Sequence, residues 1–347
     1  MNPETTPPAA IAAIAARDIA RHCAAYREPD VRSALGQIAN TGLPYLVLCA
    51  AMIAAAATGH GWVVPLLGVP AGGLLVRLFI IQHDCGHGSF LPSRTANDAI
   101  GRALSLLTLT PYDSWKRAHA LHHASTGDLS RRGTGDVATL TVREYLALPR
   151  LGRLRYRLYR NPFLLIGLGS PLNFMLLQRM PFGVGLPWRT AWRDVLALDA
   201  ALAVLVGLLA IAAGGLLPVL AALVPTVCVA AWIGGWLFYV QHQYEDTVWD
   251  SPESWDFHTA ALSGSSHYVL PAVLQWFTGN VGLHHVHHLN SRIPNYRLQE
   301  CMDDHAMLGQ VGRLTLRDSL RCLGLALWDE NARRLVGFSR VRTLEAA

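Results

Sequence analysis

Three clusters of histidine carry ligand-like spacing: His83-Asp84-Cys85-Gly86-His87, His119-Ala120-Leu121-His122-His123 and His284-His285-Val286-His287-His288. Residues i, i+3 and i+4 of a helix share one face, so the first box offers two imidazoles to a common point and each of the others offers three. Nine of the fifteen histidines lie in these boxes. Neutral imidazole is a ligand for iron, copper and zinc. Eight well-spaced ligands exceed what one tetrahedral zinc takes and suit two metal ions side by side. A single HxxxH on an apolar helix means packing more often than ligation; three boxes in one chain do not have that explanation. An uncharged, all-imidazole set suits iron that changes oxidation state, and the chemistry it points to is O2 activation against an unactivated C–H bond.

The elements that must hold these boxes are membrane helices. The chain has 347 residues, 52% hydrophobic and 15% charged, with a mean hydropathy of +0.26. Soluble domains carry about 25% charged residues. Four stretches reach the roughly 20 apolar residues that a hydrocarbon core demands: 42–59, 62–82, 195–213 and 216–241. Gly59-His60-Gly61 joins the first two and Gly214-Gly215 the last two, which predicts two tight helical hairpins. The expected fold is an all-α integral membrane protein whose four spans carry a cytosolic helical cap with the boxes. The expected organisation is an N-terminal cytosolic segment 1–40, a membrane domain 41–300 and a cytosolic helical tail 301–347.

Segment 162–178 is apolar but broken by Gly167, Gly169 and Pro171. An even number of spans must separate boxes that meet at one site, so this segment is expected to lie along the interface or re-enter. The hairpin loops hold no Lys or Arg, whereas arginines crowd the N-terminal segment, 83–193 and the C-terminal tail. By the positive-inside rule both termini and all three boxes face the cytoplasm. The net charge of +5 and pI near 9.0 fit a membrane surface, and no nucleic-acid motif is visible. The clusters Arg131-Arg132 and Arg153/Arg155/Arg157/Arg160 are expected to meet anionic headgroups or to remain a solvated face.

Met1 to Ala25 lacks the pattern of a cleaved signal peptide, and 9–25 reads as a surface helix. Six cysteines show no C-x-x-C spacing and read as free thiols in a reducing cytosol, with Cys85 packing inside its box. Segment 311–336 reads as a helix lying against the site or the membrane.

The boxes, together with Gly279-Asn280-Val281-Gly282-Leu283-His284 and His122-His123-Ala124-Ser125-Thr126-Gly127-Asp128-Leu129, resemble the membrane fatty acid desaturases from about residue 40 to about 300. The resemblance implies a four-helix membrane domain under a cytosolic cap, a non-haem di-iron centre, O2 as co-substrate and desaturation of an acyl chain. It implies His83, His87, His119, His122, His123, His284, His287 and His288 as iron ligands, and His242 at the end of the last span as a ninth. His285 falls between ligand positions, and His22, His60, His258, His267 and His305 fall outside the pattern.

Three residues between the histidines of the first box resemble acyl-lipid desaturases of the methyl-end (Δ12/ω-6) type from bacteria. Their substrate would be a membrane lipid, with an acyl thioester as the other possibility. No His-Pro-Gly-Gly occurs, so no fused cytochrome b5 domain is expected, and the electrons would come from a separate donor such as ferredoxin. That acidic carrier could dock on Arg131 and Arg132. A bacterial inner membrane location follows from the same resemblance. Ligating histidines need partners for their other ring nitrogen; Asp128 and Asn280 are the first choices among Asp84, Asp113, Asp136 and Glu245. Tyr112, Trp115, Trp276 and Phe277 are candidates to line an acyl tunnel, and Arg77 is expected to snorkel. The nearest alternative is a fatty-acyl, alkane or carotenoid hydroxylase working through the same centre. A histidine-bearing metal transporter would need polar residues along the spans, which they lack.

Overall fold

Asp30 starts the first membrane helix: its carboxylate accepts from the Ser33 amide (2.6 Å), satisfying a donor at the helix N-terminus. The structure, a computed structural model, describes residues 17–133, 136–183 and 185–341. Helix α1 runs Val31–Ala57 and turns at Gly59, whose φ of +82° suits a residue without a side chain. Helix α2, Val64–His87, returns and stops at Gly88, again left-handed (φ +68°), with the Gly88 amide bonded back to Asp84 and Cys85. The second hairpin is α8, Trp188–Ala212, and α9, Leu216–His242. Among the described residues these four, with the turn before α2 included in its span, are long and apolar enough to cross a membrane.

Sequence placed the start of α1 at 42; it begins eleven residues earlier, because the Asp30 cap lies well before the apolar run. Likewise α2 continues beyond 82 through the whole first box. The apolar window of α2 is 67% buried, against 22%, 11% and 22% for the other three. So α2 is the central rod, and its three partners turn most of their surface outward. Gly72 lets Val229 of α9 approach to where a Cβ would lie 2.5 Å from its Cγ1.

Between the hairpins lie α3, Arg94–Thr108, and α4, Tyr112–Ser125, the latter carrying the second box. Next come α5, Val142–Ala147, and α6, Arg150–Tyr159. Segment 162–178 contains no helix long enough to cross a membrane. It forms a π-helical turn, Phe163–Gly169, and α7, Ser170–Met175. It docks on α9: Trp232 donates its indole N–H to Gly167 (2.8 Å), and Ser170 packs where Gly235 has no side chain. After α9 follow α10, Phe257–Ser263; α11, Ala272–Phe277; α12, His284–Leu289, carrying the third box; and α13, Leu298–Asp303.

The C-terminal expectation needs correction. Segment 311–336 is not one helix, and the described part of the tail, 301–341, mixes strands with short helical turns. Strands lie at Arg313–Thr315, Leu327–Asp329 and Arg334–Val336, with single helical turns at Leu316–Ser319 and Leu320–Gly324. Arg313–Thr315 pairs in parallel with His267–Val269, and Leu327–Asp329 lies between Leu140–Thr141 and Arg334–Val336. Gly312 and Gly324 interrupt the run, and Thr315 caps a new turn through Asp318. Of the predicted helix 9–25, residues 17–23 are helical and 9–16 lie outside the described residues.

Several members of the arginine clusters make contacts within the cap, while Arg131, Arg155 and Arg157 stay exposed. Arg132 forks Glu144 (2.6 and 2.7 Å) and donates to the Thr139 carbonyl, while Arg131 donates to Ala124. Arg153 donates to Leu146 and Leu148, Arg157 to the Tyr145 hydroxyl, and buried Arg160 to Gln243 and Leu325. These contacts brace the cap. Arg132, committed to Glu144, is a poor docking charge for a carrier.

Candidate metal centre

Two spans end in histidines. His83 and His87 close α2, one turn apart, and His242 closes α9. Box two rides on α4 and box three on α12. The four elements converge so that His83, His87, His119, His123 and His287 form one group and His122, His242, His284 and His288 form a second. Within each group the ligand nitrogens all lie within 4.8 Å of one another. The three imidazoles of an HxxHH box therefore do not share one point, as their spacing suggested. At about 100° per residue, i and i+4 stay aligned while i+3 swings to the side. Each i, i+4 pair (83/87, 119/123, 284/288) enters one group, and His122 and His287 cross to the group opposite their pair.

The Nε2 of His123 lies 3.1 Å from those of His119 and His287. In the second group His242 lies 3.2 Å from His122 and 3.0 Å from His284, and His288 lies 3.0 Å from His284. Such spacings suit neighbouring nitrogens bound about 2.1 Å from one ion. His87 Nε2 is buried without a hydrogen-bond partner, an atom that a metal ion would satisfy. Burial holds His119, His122, His123, His284, His287 and His288 well below the usual imidazole range, so they are neutral, as ligation requires. The groups differ in cover. All of the second is buried, whereas His87, His119 and His123 of the first are partly exposed.

The partners of the ring nitrogens are not those first chosen. Asp128 accepts from the amide and hydroxyl of Ser130 (2.8 and 2.7 Å), capping a turn. Asn280, at φ +58°, donates to the Asn295 carbonyl. Asp84 does what Asp128 was expected to do: one oxygen meets His83 Nδ1 at 3.1 Å, and the other accepts from Asn295 through its amide (2.6 Å) and side chain (2.8 Å). Asn295 in turn exchanges two hydrogen bonds with Gln37 of α1. His242 Nδ1 meets the Gly264 carbonyl at 2.9 Å. Asn295, Gln37 and Gly264 carried no signal in the sequence, since their role exists only once distant segments meet.

Of the aromatic candidates, Trp115 alone lies against the histidines. It stacks on His119 (4.8 Å, 14°) and meets His83 at 5.8 Å. Gly86 makes room for it, since a Cβ there would sit 2.9 Å from its ring. Tyr112 instead points into the helix core, bonded to Asp98 (2.9 Å). Trp276 stacks on Arg77 (4.3 Å) and takes a hydrogen bond from it through its carbonyl; Phe277 packs on Gly73. Arg77 is buried and does not snorkel. Phe79 and Phe238, which sequence reasoning passed over, touch Trp115 and His122 respectively. His285 bonds the Leu308 carbonyl (2.9 Å), and His22, His60, His258, His267 and His305 also lie outside both groups.

The family model described as fatty acid desaturase matches residues 60–313. A fatty acid desaturase of Bacillus subtilis is 38% identical over 332 residues, covering 94% of this chain and 92% of that protein. An sn-1 oleoyl-lipid 12-desaturase of Synechocystis is 27% identical over 68% of this chain and 66% of its own length. An sn-1 acyl-lipid omega-3 desaturase (ferredoxin) of the same organism is 28% identical over 69% and 66%.

Proposed function

The chain belongs to the fatty acid desaturase family and is an oxidoreductase of that kind, and from that premise we propose that it desaturates a lipid-linked acyl chain with O2 at a di-iron centre held by its nine clustered histidines. The observation that carries this reading is the pair of adjoining groups, five imidazoles and four, built from the ends of two spans and two cap helices. When bound, two iron ions would supply O2 activation, with two hydrogen atoms (two electrons and two protons) coming from the acyl chain and two further electrons and two protons from outside. Neutral imidazole suits iron as a ligand, and the two groups together offer nine such side chains.

The protein's part is position and exclusion. Asp84 fixes the ring plane of His83, and the Gly264 carbonyl fixes the proton of His242 on Nδ1, leaving Nε2 free to ligate. Trp115 covers one side of His119, and Phe238 lies beside His122, so apolar walls flank the centre. They exclude water and accept an acyl chain. A methyl-end (Δ12-like) position for the new bond is supported by the three-residue spacing of the first box and by the likeness to the 12-desaturase. An external carrier such as ferredoxin is supported by the likeness to a ferredoxin-linked relative. A bacterial inner membrane, with the centre and both termini in the cytoplasm, is supported by hairpin loops without Lys or Arg.

The test is gas chromatography–mass spectrometry of total fatty acids from a bacterial host expressing the chain, beside a His122→Ala/His123→Ala control. A new alkene absent from the control supports the reading and locates the bond. A hydroxylated acyl chain in its place would overturn it.

A further inference from the structure

Cys23 and Cys301 lie 278 positions apart, yet their sulfurs are 3.6 Å from each other and both residues are fully buried. Among the described residues the other four cysteines lack such a sulfur neighbour, and all six are free thiols. Cys23 ends the N-terminal helical segment, and Cys301 lies on α13. Two further contacts join the same surfaces: His22 Nε2 to the Cys301 carbonyl (3.1 Å) and the Tyr26 hydroxyl to Asp304 (2.5 Å). Behind the sulfurs, Ile19, Cys23 and Tyr26 share one apolar cluster with Val286 and Leu289 of the third box helix. The pair thus closes the N-terminal segment onto the back of the helix that carries His284, His287 and His288.

The geometry points to Cys23 and Cys301 as a dithiol site that a peroxide oxidant converts to a disulfide, stapling the N-terminal segment to the cap. Closing the gap to a bond of about 2 Å needs roughly 0.8 Å of movement per sulfur. The Cys301 thiol donates to Cys23, which holds Cys23 below the usual thiol range and makes it the attacking sulfur. The Cys23 thiolate takes one oxygen of hydrogen peroxide. The O–O bond breaks, a sulfenic acid forms, and the departing hydroxide leaves as water with the thiol proton. The Cys301 sulfur then attacks the sulfenic sulfur, the S–O bond breaks, and a second water leaves with the Cys301 proton. Two thiols are oxidised by two electrons and one peroxide is reduced to two waters. Peroxide reaches the buried pair through local opening of the N-terminal segment. An O2-activating centre releases peroxide when reduced without substrate, so the source, but not the chemistry of the pair, rests on the function proposed above.

The experiment uses the full-length protein in lipid nanodiscs, titrated with hydrogen peroxide, alkylated after denaturation and digested for mass spectrometry. The expected result is a peptide linked through Cys23 and Cys301, lighter by two hydrogens, reversed by dithiothreitol and missing from Cys23→Ser and Cys301→Ser. Tryptic cleavage at Arg17 and Arg21 should slow about five-fold in the oxidised wild type and stay unchanged in both variants. Oxidation of either cysteine to sulfinic acid without the linked peptide, or links only between molecules, would overturn the proposal. A second arm omits peroxide, moves the full-length protein into lipid-free detergent micelles, and supplies iron, O2 and electron donor. A catalase-sensitive link there ties the oxidant to the centre. A link with added peroxide but no alkene from the lipid-fed enzyme would sink the desaturase reading and leave the dithiol site standing.

Discussion

His122 and His123 are neighbours in the chain and serve different histidine groups: His122 Nε2 lies 3.2 Å from His242, and His123 Nε2 lies 3.1 Å from His119. Removing one should unload one metal position and spare the other. His122→Ala and His123→Ala are each expected to lower bound iron from about two to about one per chain, and the double variant to near zero. Metal analysis by mass spectrometry checks this. Two irons retained in both single variants would mean that the groups are not separate sites.

Asp84 gathers the ends of α1, α2 and the segment after box three through Asn295. Asp84→Asn keeps the size but removes the charge that orients His83. It should weaken iron retention about 10–100-fold. Asn295→Ala strands the buried carboxylate and the Gln37 amide, and should also cost about 1–3 kcal/mol of stability. Iron remaining after graded chelator dialysis is the readout. Unchanged retention in Asp84→Asn would remove Asp84 from the site's support.

Gly86 is small because Trp115 occupies the space above it. Gly86→Ala should push the indole off His119 and cost about 1–3 kcal/mol. Trp115→Phe, with its smaller ring, should recover much of that loss in the double variant. A double-mutant cycle in thermal unfolding, with product formation alongside, measures the coupling. Additive effects would show that the contact is slack.

Glu144 is pulled down to about 2, first by its hydrogen bonds from Arg132. A carboxylate lowered on folding stabilises the native state above its unfolded value near 4.3 and loses that contribution as pH falls toward 2. Glu144→Gln should therefore melt below the wild type at pH 7, and the gap should narrow steadily from about pH 5 to pH 3. Because the pair is partly exposed, salt should shrink the gap as well. A gap independent of pH would assign the effect to the Thr141 cap rather than to charge.

The four spans, both hairpins and the histidine boxes were legible because hydrophobic length and i, i+4 spacing are local properties. Lost were features that depend on what comes to lie alongside. Alternating Leu and Thr near 313–316 serves a strand only because His267–Val269 waits to pair with it. Asp84 stands inside the first box and Asp128 five residues after the second, and nothing local says that Asn295 will complete the environment of Asp84 while Ser130 closes a turn on Asp128. The division of each HxxHH between two groups departs from the common point expected of i, i+3 and i+4, because it depends on which helices face the box.

From Val64 to His83, α2 rises about 28 Å, close to the thickness of a hydrocarbon core. As a membrane span, this rod would set the altitude of the chemistry, at the waterline rather than in the oil. For the lipid-linked tail proposed above, the carbon to be oxidised would rest far below that level, and the tail would have to be drawn upward out of its leaflet before it could react. Each methylene withdrawn must find apolar wall in place of its neighbouring tails or forfeit about 0.8 kcal/mol. A stiffer, more ordered membrane would hold its tails harder, and the leaflet itself would then help to set the pace of its own remodelling.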